Sequence, residues 1–158
     1  MQLGTTAQKL QELGVQALGI TATNAERARL YFRYRPSRVP LGADPDLVTH
    51  RAYGLPRSAI TPEIWEAVQS AYGHLARELK LEAPPAEAKG AVNRLDGFTP
   101  TESDDAELQS HQVQFTGQFL VDREGIVQWA YIECAQEGLA GVDKFPTEEE
   151  VLTAARAL

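Results

Sequence analysis

The feature that most constrains the fold is an apolar run near the start of the chain with a helical pattern on each side of it. The run GVQALGIT is apolar on both faces, at Val15, Ala17, Leu18 and Ile20. A run of this kind is typical of a strand inside a covered parallel sheet. The preceding segment, TTAQKLQEL, predicts a helix that ends at Gly14.

The next segments continue the alternation of strands and helices. Thr23 and Glu26 have the spacing of a capping box and predict a helix that Pro36 ends. A short strand is predicted over 39–43, followed by a short helix with Asp44 as its N-cap. Alternation of this kind indicates the α/β class.

A long amphipathic helix is predicted over 62–80, starting at Thr61 and Pro62. Its apolar stripe consists of Ile64, Val68, Ala71, Leu75 and Leu79. The following segment, 82–112, is rich in proline, glycine and acidic residues and has few large apolar side chains. Its composition predicts a long acidic, lid-like loop.

The last third of the chain predicts a hairpin and a final helix. The runs QFTGQFLV and IVQWAYIE read as strands, and the turn sequence at 122–125 joins them into an antiparallel pair. Pro146, Thr147 and Glu150 then predict the capped start of a helix. The whole chain, 1–158, is therefore expected to be one α/β domain with a mixed sheet flanked by helices.

Composition narrows the classes of function. The net charge of −7 argues against nucleic acid as a partner. No apolar run approaches the roughly 20 residues that span a bilayer, and the start of the chain lacks a secretion signal, so we expect a cytoplasmic protein without membrane contact. One cysteine and three histidines predict neither a disulfide nor a zinc site, and no cofactor is expected.

Positive charge is concentrated in the first third of the chain. Residues 1–58 hold eight basic and four acidic residues, and five arginines fall within twelve positions: Arg27, Arg29, Arg33, Arg35 and Arg38. A solvated helix surface is the simplest explanation. The functional alternative is an anion site or a surface for an acidic partner, for which we select Arg27, Arg33, Arg35 and Arg38.

Several segments resemble the peroxiredoxin-like, AhpC/TSA-type redoxins of the thioredoxin superfamily: LQELGVQALGIT, YFRYRP, VPLGADPDLVTHRAYGLP, NRLDGF, GQFLVDREGIVQW and KFPTEEEVLTAARAL. The resemblance covers nearly the whole chain and is most specific in DPD followed by AYGLP and in FLVDREGIV. It implies a thioredoxin-like sheet with the long helix and the acidic loop as insertions. It also implies thiol-dependent peroxide reduction or thiol–disulfide exchange, with a thioredoxin-type protein as the reductant.

The chain departs from this family at the catalytic positions. The family carries its reactive cysteine at the N-terminus of the helix after the first central strand, where the helix end stabilises a thiolate. The resemblance begins downstream of that segment, so we expect an N-terminally shortened redoxin domain. Thr116 stands where thioredoxin-like proteins have a cis-proline and typical peroxiredoxins an arginine, and is the expected neighbour of the active site.

Cys134 is the only thiol and hence the only candidate for residual redox catalysis. Glu133 and Glu137 are expected to raise its pKa, which favours a passive thiol. Three hypotheses follow: a shortened redoxin with little or no activity, a slower reaction at Cys134, or a non-catalytic thioredoxin-fold binding module using the basic surface from Arg27 to Arg38. The missing strand also predicts an open sheet edge and hence a homodimer.

Overall fold

The structure, a computed structural model, describes residues 3–34, 36–95, 97 and 99–158. Within these residues the helices are α1 Leu3–Glu12, α2 Ala25–Tyr34, α3 Val48–Ala52, α4 Pro62–Glu78, α5 Ala88–Leu95, α6 Glu102–His111 and α7 Glu148–Arg156. The strands are β1 Gly19–Thr21, β2 Leu41–Ala43, β3 Arg57–Ser58, β4 Val113–Gln114, β5 Gly117–Val121 and β6 Val127–Ile132. No helix in this part of the chain is long and apolar enough to cross a lipid bilayer.

The described strands form three separate two-stranded sheets. β1 and β2 are parallel, with Gly19 opposite Leu41 and Thr21 opposite Ala43. β3 pairs with β4, and β5 with β6, in antiparallel fashion. The α/β class is confirmed, but the prediction of one mixed sheet was wrong. Apolar patterning indicates which residues are extended, whereas it does not determine which strands share hydrogen bonds.

Side chains cap α2 and α3, although not as the sequence predicted. Asn24, and not Thr23, accepts a hydrogen bond from the backbone N–H of Arg27, at 2.9 Å. The hydroxyl of Thr23 is used elsewhere, in a contact with α6. The N-cap residue of α3 is Leu47 and not Asp44, so that prediction was wrong. The Asp44 side chain nevertheless accepts the backbone N–H of Val48, at 2.8 Å, from across the intervening turn.

The long helix is confirmed as α4, but its buried face differs from the predicted stripe. Thr61 caps it as expected. Gly73 and Ala76 are buried, whereas Leu75 and Leu79 are 36% and 43% exposed. Small residues on one face allow a second helix to approach closely, and α5 packs against that face. The predicted stripe is therefore confirmed at its start, where Ile64 is 3% exposed, and is wrong toward the end of α4, where the small side chains are buried instead of the leucines.

The segment 82–112, predicted to be an acidic loop, is mostly helical. α5 buries Ala88 and Val92 against α4. α6 begins after Thr101, whose backbone N–H donates to the Asp104 carboxylate at 2.6 Å. The loop prediction was wrong because acidic residues are also favoured in the first turn of a helix, where they interact with its dipole. Composition alone does not separate the two cases.

The predicted hairpin and final helix are confirmed. β5 and β6 pair around the turn at 122–125, and α7 begins at a capping box formed by Thr147 and Glu150. α1, the hairpin and α7 together enclose the main hydrophobic core. Its buried side chains are Leu10, Leu120, Val151, Leu152 and Ala155.

Candidate functional site

Basic side chains of α2 line an open depression of about 500 Å³. The lining residues, here called the arginine surface, are Glu26, Arg27, Arg29, Leu30 and Arg33. All of them except Arg27 follow the i, i+3, i+4, i+7 spacing that places side chains on one face of a helix. No residue of α2 is buried, so this face is presented to solvent.

Arg27 lies at the edge of the arginine surface and is already paired. Its guanidinium forms ion pairs with Asp104 and, at 3.6 Å, with Glu107, both on α6. Burial acts to raise the pKa of Asp104, but the backbone N–H of Thr101 and the Arg27 guanidinium together hold that pKa below its usual range. Within the predicted basic cluster, Arg27 is therefore paired with carboxylates of the same chain.

The other predicted arginines have different surroundings. Arg29 and Arg33 are exposed and form no ion pair with any described residue. The stem of Arg38 lies beside Gly4 of α1, because a Cβ on Gly4 would be 3.6 Å from the Arg38 Cδ. Arg35 lies outside the described residues. The sequence-based selection included Arg35 and Arg38 but not Arg29. The four-residue spacing of Arg29 and Arg33 would have indicated that these two side chains share one face of the helix.

A buried carboxylate fixes the end of the β5–β6 hairpin. Glu133 is 7% exposed. Its side chain accepts hydrogen bonds from the backbone N–H groups of Thr116 and Asp143, each at 2.9 Å. The backbone N–H of Glu133 in turn donates to the Thr116 carbonyl at 2.9 Å. The structure therefore places Thr116 directly beside the residue that precedes Cys134.

Cys134 sits in surroundings that oppose thiolate formation. Burial raises the pKa of its thiol, and the negative charges of Glu133 and Glu137 raise it further. The expected effect of the two glutamates is confirmed, with burial as the larger cause. Cys134 also has a left-handed backbone, φ 63°, against which Gly141 packs so closely that a Cβ there would be 3.2 Å from the Cys134 Cα. Peroxide attack needs the thiolate, so this site does not favour it.

A third group of polar residues was not recognised as a site from the sequence. The Nδ1 atom of His50 is 3.0 Å from a carboxylate oxygen of Asp44, and both residues are buried. Burial acts to raise the pKa of Asp44. The hydrogen bonds from the His50 ring and from the backbone N–H groups of α3 outweigh this effect and lower the pKa to about 2. The pair stabilises the start of α3. No group of three or more metal-binding side chains occurs among the described residues.

Comparison with known protein families, with functionally characterised proteins and with solved structures gave no match to the chain. The resemblance to redoxins therefore stays a prediction. The function is argued below from the arginine surface and from the surroundings of Cys134.

Proposed function

We propose that this chain is a non-catalytic binding module that receives an acidic protein segment on the arginine surface of α2. The observation that carries the proposal is the open depression in which Arg29 and Arg33 face solvent without an ion pair to any described residue. Two guanidinium groups one helical turn apart can each pair with a carboxylate of a bound segment.

The surroundings of Cys134 support a binding role over a catalytic one. A thiol whose pKa is raised by burial and by two glutamates is protonated at neutral pH. Within this proposal the domain is a redoxin-like relative that keeps a thioredoxin-like order of elements without thiol chemistry. Support for that part comes from the order itself: a parallel β1–α2–β2 unit, the β5–β6 hairpin and the helix α7.

The chemistry of the arginine surface favours an acidic peptide as the ligand. Leu30 lies between the arginines and is 38% exposed, so it offers apolar contact area next to the charges. A peptide that combines carboxylates with apolar side chains matches both properties, and its affinity should fall with added salt.

The test is the binding of a fluorescein-labelled peptide, (Glu-Glu-Leu)₄, measured by fluorescence anisotropy at low salt. The double variant Arg29→Glu/Arg33→Glu should bind at least about tenfold more weakly, because two favourable charge contacts become repulsive. The matched control is Arg57→Glu/Arg123→Glu, which changes the net charge equally at two exposed arginines outside α2. Equal loss of affinity in the two double variants would refute the proposed surface.

A further inference from the structure

The acidic helix α6 already contacts the arginine surface through two carboxylates on one of its faces. Asp104 and Glu107 are three residues apart and both pair with Arg27. Glu107 also accepts a hydrogen bond from the Thr23 hydroxyl, which lies 2.8 Å from each carboxylate oxygen. An internal segment with carboxylates at helical spacing is therefore paired with one of the residues that line the depression.

These polar contacts hold α6 in place with little apolar support. None of its described side chains is buried, Ala106 is exposed and Leu108 is half-buried. By contrast, α7 has three buried apolar residues. A helix without a buried apolar face depends on its ion pairs and hydrogen bonds, which water and competing charges can replace.

We infer that α6 is an internal acidic ligand of the arginine surface, and that an acidic partner binds there by displacing the α6 carboxylates from Arg27. This inference rests on the proposed function. Arg27 lines the same depression as Arg29 and Arg33, so the bound partner gains a third guanidinium when α6 releases it. The chain's own carboxylates thereby lower its affinity for the partner and select partners with a high density of negative charge.

Glu107→Gln tests this competition without disturbing the start of α6. Asp104 is unsuitable because its carboxylate also accepts the backbone N–H of Thr101. The control is Glu102→Gln, the same change on the same helix, at an exposed residue whose side chain forms no hydrogen bond or ion pair with any described residue. Both variants lose one negative charge, so a difference between them reports the contact with Arg27 and Thr23.

We expect Glu107→Gln to bind (Glu-Glu-Leu)₄ about two- to fivefold more tightly than Glu102→Gln, because a half-exposed ion pair makes a modest contribution. The peptide should also accelerate amide hydrogen exchange in residues 102–111 of the unmodified chain. Equal affinities of the two variants, or unchanged exchange in α6 at saturating peptide, would overturn the inference while leaving the proposed function standing. Absence of peptide binding by the chain and both variants would overturn the two together.

Discussion

The carboxylate of Glu133 connects three parts of the backbone, and replacing it with an amide has a calculable cost. The side chain accepts the N–H groups of Thr116 and Asp143, and the residue is 7% exposed. In Glu133→Gln the amide oxygen can accept one of these hydrogen bonds. The amide nitrogen then faces the second backbone N–H, and because both groups are hydrogen-bond donors they cannot pair. One buried backbone donor is left without an acceptor.

The loss can be bounded from these contacts. A hydrogen bond to a charged group contributes about 1.5–3 kcal/mol, and an unsatisfied buried donor costs about 1–3 kcal/mol. The two figures describe the same N–H and are not summed, so we expect the free energy of unfolding to fall by about 1.5–3 kcal/mol. The variant also removes the negative charge that raises the pKa of the Cys134 thiol more than Glu137 does, so that pKa should fall.

Glu137→Gln is the matched control. It removes the same charge near Cys134, but the Glu137 side chain is 54% exposed and pairs with Lys144. Its effect on stability should be below about 1 kcal/mol. Urea unfolding followed by tryptophan fluorescence measures stability, and ultraviolet absorbance of the thiolate during a pH titration measures the pKa of Cys134. Equal stabilities of the two variants would refute the account of Glu133 as the residue that fixes the hairpin end.

Three further predictions concern other regions. The folded-state pKa of Asp44 is about 2, below its ordinary 3.8, so its stabilising effect is present above about pH 4 and is lost as the pH falls toward 2; thermal unfolding of Asp44→Asn should show a flatter pH dependence there, and an unchanged slope would contradict this. Stoichiometric hydrogen peroxide with dimedone should give no adduct by intact mass, and an adduct absent from Cys134→Ser would show a reactive thiol. Light scattering should detect a homodimer, because Leu18, Ile20 and Leu41 are 65%, 38% and 37% exposed beside the β1–β2 pair; Ile20→Lys should weaken it, and a monomeric unmodified chain would contradict the prediction.

The elements that could be predicted from the sequence are those set by local signals. The helix starts at Thr61 and Thr147 and the turn at 122–125 depend on residues within four positions of each other, and the structure confirms them. The pairing of β3 with β4 joins residues more than fifty positions apart. Two strands of two residues carry too little pattern to be recognised, so this pair could not be predicted.

In the candidate site, too, the features set by neighbouring residues could be predicted, and those set by distant residues could not. The cluster of arginines was evident from the sequence, and so was the effect of Glu133 and Glu137 on the pKa of Cys134. The ion pair between Arg27 and Asp104 joins residues 77 positions apart. It could not be predicted because the acidic segment that contains Asp104 was interpreted as a loop. A capping pattern at Thr101 and Asp104 was present in the sequence and would have indicated the helix.

Contacts between the first and last helices have a consequence for the chain during synthesis. Thr6 of α1 donates a hydrogen bond to Glu148 of α7 across 142 positions, and Leu10 is buried against Val151 and Leu152. At about 5–20 residues per second, translation of the intervening chain takes about 7–30 s. During that interval Leu10 has no α7 side chains to pack against on the ribosome, so the main core can close only after α7 has emerged.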